Sequence, residues 1–284
     1  MSKIWHFLDM IDFQHTVFGL PFAYLGTFMA GPGFPGWMVL GWVTLAMVAA
    51  RTAAMCLNRA VDMEIDRRNP RTVEWAMPRG EFPIGLVLAV TVISIVILVG
   101  AAWQLNPLCL ILSPLAVVLL WGYSYTKRFT WLCHLVLGAV IGIGPVGGWL
   151  AVTGAWSWTP VLLMAAVAFW IGGFDTMYAC QDIAFDRKEG LHSIPARFGA
   201  RGALRFARAF HTLTILFFIA FGIAMKLGIL YYAGVVAAAG VLVYEHLLVK
   251  ADDLSLVNRA AFHLNRYVSL VMFAMALLDL FHPL

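Results

Sequence analysis

Long apolar segments separated by short polar ones dominate the chain. A bilayer core of roughly 30 Å needs about 20 apolar residues per helix. On that measure the sequence predicts nine membrane-spanning helices, lying near residues 15–31, 38–61, 84–104, 107–125, 132–152, 160–181, 205–226, 228–249 and 266–282. Turn signals such as Asn106-Pro107 separate several of them. Helices are expected because backbone groups in lipid must be hydrogen-bonded internally and no alternating barrel pattern is present.

Composition supports lipid as the solvent for much of the chain. Of 284 residues, 62% are hydrophobic and only 12% are charged, whereas an average soluble domain carries roughly 25% charged residues. The formal net charge of +4 does not indicate a nucleic-acid partner, because the bases lie in short loops between apolar runs. The four cysteines have no C-x-x-C spacing, so neither a zinc site nor a disulfide framework is expected. Nothing in the sequence indicates an obligate protein partner.

Lysine and arginine residues are distributed unevenly among the connections between the predicted spans. Connections after spans two, four, six and eight contain nearly all of them, and the opposite set contains only Lys226. Since positive charge stays inside, we expect a cytoplasmic N-terminus and an external C-terminus. We also expect no cleavable signal peptide, because Asp9 and Asp12 interrupt the early apolar stretch. The sequence thus predicts an all-α polytopic membrane protein, with nine transmembrane helices in a single bundle and one domain over residues 1–284.

Two polar motifs with the same four-residue spacing stand at the cytoplasmic ends of predicted spans. They begin the two long polar loops expected near 62–83 and 182–204, which we expect to be functional. A spacing of four places successive side chains on one helical face, one turn apart, so each motif predicts a short ladder of oxygen ligands. The residues of the two ladders are Asn58, Asp62 and Asp66, and Tyr178, Asp182 and Asp186.

Four clustered carboxylates in a membrane protein indicate a cation site. Ionised aspartates near a helix centre cost roughly 2.5–3.5 kcal/mol on insertion scales and are functional by default. Hard oxygen ligands suit Mg²⁺, which binds through one or two carboxylates together with substrate phosphate. Two such ladders would hold a diphosphate through Mg²⁺ ions, although a single ladder alone is equally consistent with a solvated helix end. Bases available for direct phosphate contacts are Arg71, Lys127, Arg128 and Arg187.

These motifs resemble those of the UbiA superfamily of intramembrane prenyltransferases. The likeness continues through Asn69-Pro70-Arg71-Thr72, Tyr125-Thr126-Lys127-Arg128 and the Gly190–Pro195 stretch, and so covers most of the chain. It implies Mg²⁺ as cofactor, a polyprenyl diphosphate donor, a small aromatic acceptor and a multi-pass place in a bacterial inner membrane. The second motif is most similar to a 4-hydroxybenzoate polyprenyltransferase-like subgroup, which leaves open a menaquinone precursor of the futalosine route as the acceptor.

Two charged residues lie deeper than the ladders. Arg51 precedes Asn58 by seven residues, so it shares that face about 10 Å further along the axis. It is expected either to bind the carboxylate of an aromatic acid or to pair with a buried carboxylate. Asp175 precedes Asp182 by the same interval, and three roles remain open for it: proton acceptor, anchor for the acceptor, or structural partner of Arg51.

One departure from the family pattern and several rival functions remain. Trp75 stands where relatives often have an arginine, so a phosphate contact is either missing or supplied by Arg79. A CDP-alcohol phosphotransferase is disfavoured because its extended aspartate motif is absent from the sequence. A cation transporter would place ionisable residues near the midplane rather than at helix ends. Haem- or chlorophyll-type acceptors and prenyl-chain hydrolysis are excluded only weakly.

Overall fold

The computed structural model describes residues 3–13, 16–258 and 264–282, with residues 16–18 described by their backbone alone. Within these residues nearly all regular structure is helical. The α-helices are α1 (Lys3–Met10), α2 (Thr16–Phe28), α3 (Trp37–Arg68), α4 (Ile84–Leu105), α5 (Pro107–Gly122), α6 (Cys133–Thr153), α7 (Thr159–Tyr178), α8 (Ile183–Glu189), α9 (Ile194–Met225), α10 (Ile229–Leu248) and α11 (Asn265–Phe281). Two 3₁₀ helices follow α5 and α7, at Tyr123–Arg128 and Ala179–Asp182.

Each predicted span overlaps one of these helices, which confirms an all-helical membrane protein. In the part of the chain that the structure describes, seven helical segments are long and apolar enough to cross a bilayer. The other two candidates, α2 and α11, have only 13 and 17 described residues. At 1.5 Å per residue, 13 helical residues cover about 20 Å, less than a bilayer core. The expected start of the first span at residue 15, and the base Arg259, lie outside the described residues.

The two polar loops are shorter than expected. Helix α3 continues without a break to Arg68, so the first loop begins only at Asn69. Most of the second stretch is helical, because α8 and the start of α9 occupy it. Helix α1 was not predicted at all; its eight residues are too few to span a membrane, and it packs against the first loop through Phe7 and Phe82, whose rings meet edge to face.

Local chemistry explains where the helices begin and end. The Asn106 side chain accepts a hydrogen bond from the Cys109 backbone N–H at 3.0 Å, and the adjacent Pro107 is well suited to a first helical turn. Ser193 caps α9 in the same way through the Ala196 N–H at 3.1 Å. At the C-terminal end of α8, Gly190 has a φ of 69°, a left-handed conformation that glycine adopts without strain. These caps fix the helix ends that surround the polar residues described below.

Backbones of α2, α6 and α7 touch directly at glycines. A Cβ atom on Gly138 would lie 2.1 Å from the carbonyl oxygen of Ala168. One on Gly148 would lie 2.2 Å from the Ala23 oxygen, and one on Gly26 would lie 2.0 Å from the Pro145 oxygen. Small residues at such contacts let helices associate closely in a membrane. The three helices therefore form a closely packed unit.

The hydrophobic core lies between α2, α7, α9, α10 and α11. Its largest fully buried side chains include Trp170, Phe22, Phe218 and Tyr231. The indole N–H of Trp170 donates to Asn265 at 2.5 Å, which satisfies a polar atom that burial would otherwise leave costly. Helices α4 and α5 have few buried residues and expose apolar side chains, as lipid-facing helices do. Packing is therefore dense on one side of the bundle, and a large cavity occupies the other.

Candidate diphosphate and acceptor site

A single large cavity brings the predicted polar residues together. Its volume is about 1140 Å³, and its walls come from α3, α4, α5, α6 and α7, with contributions from α1 and the first loop. Carboxylates and bases line one end, and leucine, alanine and glycine residues line the rest. Of the residues proposed from the sequence, the lining includes Arg51, Asn58, Asp62, Asp66, Arg71, Lys127, Asp175, Tyr178, Asp182 and Asp186.

The first aspartate cluster lies on regular helix, as its spacing predicts. Asp62 is buried. It accepts a hydrogen bond from the Asn58 amide at 2.9 Å and forms an ion pair with Lys127 at 2.8 Å. Arg128 approaches its other oxygen at 3.2 Å but does not line the cavity. Arg128 also donates to the carbonyl oxygen of Val61 at 3.0 Å and so stabilises α3 without lining the cavity.

The second cluster is not the regular helical ladder that the sequence predicts. Helix α7 ends at Tyr178, and the next turn is a 3₁₀ helix that ends at Asp182. Such a turn advances about three residues per revolution rather than 3.6, so Tyr178 and Asp182 are not stacked as they would be on an α-helix. Asp186 lies on the separate helix α8, where it accepts a hydrogen bond from the Ser193 hydroxyl at 2.8 Å.

The first loop connects the two clusters. Arg71 donates to both oxygens of Asp182, from Nη2 at 2.7 Å and from Nε at 2.9 and 3.1 Å. Asn69 adds an amide hydrogen bond to Asp182 at 2.9 Å, and Arg71 Nη1 reaches the Tyr178 hydroxyl at 2.9 Å. Burial alone would lower the pKa of Arg71, but its hydrogen bond to Asp182 and the nearby negative charges raise that pKa above its ordinary value. Arg71 is therefore a permanent cation at the mouth of the site.

The donor set fits Mg²⁺. Asp66 and Asp186 are hydrogen-bonded through the hydroxyls of Thr72 and Ser193, at 3.3 and 2.8 Å, and no ion pair is found for either carboxylate within the described residues. Asp62 Oδ1 is buried and has no hydrogen-bond partner among the described residues, although Arg128 lies 3.2 Å from it. In that same part of the chain, no three acidic, imidazole or thiol groups lie close enough to hold an ion on their own. A Mg²⁺ bound here would therefore need substrate phosphate to complete its coordination, which is its usual mode.

Arg51 and Asp175 occupy a deeper polar layer. The Nε of Arg51 is buried and has no hydrogen-bond partner among the described residues. Asp175 does not pair with Arg51; its Oδ2 lies 2.8 Å from Nδ1 of His134 on α6. The structural pairing of Arg51 with Asp175 is therefore wrong for this conformation. His134 also lines the cavity, and a lone histidine in an apolar segment gave no signal of this contact.

Trp75 does not leave a gap at the position where an arginine was expected. Its ring lies 4.1 Å from the guanidinium carbon of Arg59 and 5.3 Å from that of Arg71, and both distances suit cation–π contacts. Arg59 in turn bonds to Asp12 at 2.6 Å. Arg79 points elsewhere and pairs with Glu81 at 3.2 Å. Trp75 thus positions two arginines at the mouth of the cavity, and Arg79 makes no contribution to its lining.

Sequence and structure comparisons find similar proteins. The sequence model of the UbiA prenyltransferase family matches residues 19–267. The 4-hydroxybenzoate octaprenyltransferase of Vibrio campbellii is 29% identical over 248 residues, which cover 86% of this chain and 85% of that protein. An apo structure of a UbiA homolog from Aeropyrum pernix K1 has a TM-score of 0.86 and 34% identity, covering 94% of this chain and 98% of that one. A UbiA homolog from Archaeoglobus fulgidus bound to DMAPP and Mg²⁺ has a TM-score of 0.67 at 16% identity, covers 94% of this chain and 98% of that one, and so shares the fold.

Proposed function

The chain belongs to the UbiA prenyltransferase family, and from that premise we propose that it transfers a polyprenyl group from a polyprenyl diphosphate to a 4-hydroxybenzoate-type acceptor in respiratory quinone biosynthesis. The observation that carries the proposal is one cavity with two aspartate clusters at its polar end and a long apolar remainder. Octaprenyltransferase names among the relatives support the substrate class. The fold neighbour bound to DMAPP and Mg²⁺ supports the cofactor.

The polar end is suited to releasing a diphosphate. Asp62, Asp66, Asp182 and Asp186 are the proposed Mg²⁺ ligands, and the metal would supply charge neutralisation to the departing diphosphate. Lys127 and Arg71 are the proposed direct phosphate contacts, since both are basic side chains that line the cavity. Asn58 and Tyr178 hold neighbouring side chains in place, through Asp62 and Arg71 respectively. The carbon–oxygen bond breaks with its electrons passing to the diphosphate, which leaves an allylic cation.

The apolar end is suited to the prenyl chain. Leu98, Leu105 and Leu112 line this part of the cavity. Leu115 and Leu119 both line it and are exposed, at 56% and 36%, and we infer from this that the cavity opens toward the lipid along α5. A polyprenyl chain is as apolar as lipid, and burying each CH₂ is favourable by about 0.8 kcal/mol. We infer that the prenyl chain of the substrate enters the cavity along this wall and lies against it.

Arg51 is the proposed anchor of the acceptor. It lies seven residues before Asn58, about 10 Å deeper along α3. An aromatic acid bound beside a diphosphate places two anions close together, and a guanidinium on the cavity wall offsets that repulsion. The electron-rich ring then lies between Arg51 and the new cation. Attack by a ring carbon forms the carbon–carbon bond.

Topology and location follow from the same assignment. We infer nine spans in a single domain over residues 1–284, with a cytoplasmic N-terminus, an external C-terminus and a place in a bacterial inner membrane. The alternation of Lys and Arg among the connections supports this orientation. It places the aspartate clusters at the cytoplasmic side, where water-soluble Mg²⁺ and an aromatic acid are available.

The deciding experiment uses purified full-length protein with Mg²⁺, a labelled polyprenyl diphosphate and a panel of aromatic acceptors, with products identified by mass spectrometry. We expect prenylated 4-hydroxybenzoate, and loss of product when Mg²⁺ is chelated. The panel includes a larger, futalosine-type aromatic acid. Preferential prenylation of that compound would identify the acceptor as a menaquinone precursor instead. Transfer that does not need Mg²⁺, or no transfer to any acceptor, would contradict the proposal.

A further inference from the structure

A polar pair lies on the wall of the cavity that Arg51 does not occupy. Asp175 belongs to α7 and precedes Asp182 by seven residues, the last turn of α7 and the 3₁₀ turn that follows it. Arg51 on α3 precedes Asn58 by the same number of residues. Both Asp175 and its neighbour His134 line the cavity. The acceptor layer thus has a guanidinium on one wall and a carboxylate with an imidazole on another.

The two side chains of the pair have different access to the cavity. The Asp175 side chain is 23% exposed, whereas that of His134 is 8% exposed, and its Nε2 is buried without a hydrogen-bond partner among the described residues. Because an ionised carboxylate only accepts, Nδ1 of His134 carries the hydrogen in the 2.8 Å bond to Asp175. His134 is therefore the more buried member of the pair, and its hydrogen bond orients the Asp175 carboxylate. The carboxylate is the group that would contact a ligand.

The backbone contact between α6 and α7 fixes this arrangement. Gly138 lies one turn after His134, and its Cα approaches the carbonyl of Ala168 so closely that a Cβ would meet that oxygen at 2.1 Å. Gly172 lies one turn before Asp175 on the facing helix, and a Cβ atom there would already be in van der Waals contact with Leu135 and His134. Helices that touch this closely slide little against each other. The pair is preorganised rather than assembled by the ligand.

We propose that Asp175 accepts the ring proton that is lost when the acceptor regains aromaticity, and that His134 is the positioning residue for this step. The inference rests on the proposed function. After attack, the ring carbon carries both the prenyl group and its hydrogen. The electrons of that carbon–hydrogen bond return to the ring, and the proton passes to the carboxylate of Asp175. The N–H of His134 stabilises the carboxylate's charge before transfer and fixes its direction.

The test uses 4-hydroxybenzoate deuterated at both ring positions beside the hydroxyl, or the preferred acceptor of the panel deuterated at the carbon that is prenylated. Turnover of light and deuterated acceptor is compared for wild type, His134→Ala and His134→Gln. We expect His134→Ala to lose roughly 10- to 100-fold in kcat, as when the partner that orients a reactive group is removed. Its isotope effect should rise clearly above that of wild type, because proton loss becomes the slow step. The KM for the prenyl diphosphate should stay unchanged.

Two further variants separate this role from a structural one. His134→Gln retains an amide N–H toward Asp175 and should recover part of the rate, with a smaller isotope effect than His134→Ala. His211→Ala removes another buried imidazole, one that does not line the cavity, and should leave the isotope effect at the wild-type value. A His134→Ala enzyme with the wild-type isotope effect, whether its rate is normal or reduced, overturns the proposal. Should His134→Ala fail to fold, an isotope effect in His134→Gln no larger than that of wild type overturns it. A wild type that prenylates no acceptor contradicts instead the function on which the proposal rests.

Discussion

Replacing Arg51 by lysine tests the acceptor site most directly. The substitution keeps the positive charge but removes the planar fork that binds a carboxylate through two parallel hydrogen bonds. Arg51 lines the cavity, and its buried Nε has no hydrogen-bond partner in the described part of the protein. Lysine also places its charge at a different reach along the same wall. The change should therefore weaken acceptor binding and leave the diphosphate site alone.

The size of the effect follows from one lost charge-assisted hydrogen bond. Such a bond contributes about 1.5–3 kcal/mol, and every 1.4 kcal/mol is tenfold, so the acceptor KM should rise roughly 10- to 150-fold. The KM for the prenyl diphosphate should change little, because its proposed contacts lie about two helical turns away. Steady-state kinetics with each substrate varied in turn measures both values. Arg67→Lys is the matched control, because Arg67 is on the same helix, pairs with Glu64 and does not line the cavity.

Two outcomes would refute the reasoning. An equal rise in both KM values would assign Arg51 a structural role at the core of the site rather than a contact with the acceptor. No change in either value would leave the guanidinium without a role in binding, and would favour a larger acceptor that places no carboxylate on this wall.

Three further predictions follow from the same structure. Changing any aspartate of the two clusters to asparagine should lower Mg²⁺-dependent turnover by orders of magnitude without preventing folding, and normal turnover in all four variants would contradict the metal assignment. Glu64→Gln should keep near-normal activity, because Glu64 lies between Asp62 and Asp66 in the sequence but is exposed and does not line the cavity. Gly138→Ala should cost about 1–3 kcal/mol of stability, as overpacking does, and lower the melting temperature in detergent, while Gly147→Ala on the same helix, with open space at its Cβ, should not; equal melting temperatures would contradict the close backbone contact. A reporter active only outside the cytoplasm should function when fused to the C-terminus, and a signal from a cytoplasm-only reporter there would show that the number of spans is not nine.

The sequence contained the information for the fold and for the first cluster because both depend on local periodicity. Apolar segment lengths located the helices, and the four-residue spacing placed Asn58 and Asp62 on one face, where they contact each other. The second cluster was predicted less well, since a 3₁₀ turn replaces the expected α-helical one between Tyr178 and Asp182. Propensity does not distinguish these two turns over so short a stretch.

Contacts between distant segments could not be predicted. The pairing of Asp175 with His134, 41 residues apart, depends on how α6 and α7 are packed. Likewise Trp75 looked like a lost phosphate contact, and only the fold shows that it lies beside two arginines. Helix α1 was missed because eight residues give too few turns for an apolar period to be recognised. In each case the deciding information is a tertiary contact.

The direct backbone contacts among α2, α6 and α7 make the two sides of the reaction chamber unequal in their tolerance of change. An enlarged side chain at Gly138 or Gly148 would have to push a neighbouring helix backbone aside. On α5, by contrast, Leu115 and Leu119 line the cavity and are exposed, so a change of size there meets no neighbouring helix backbone at such close distance. Substitutions on α5 could therefore adapt the cavity to a longer or shorter prenyl substrate with little loss of stability. Diversification of tail length and preservation of the catalytic frame are thus assigned to different helices.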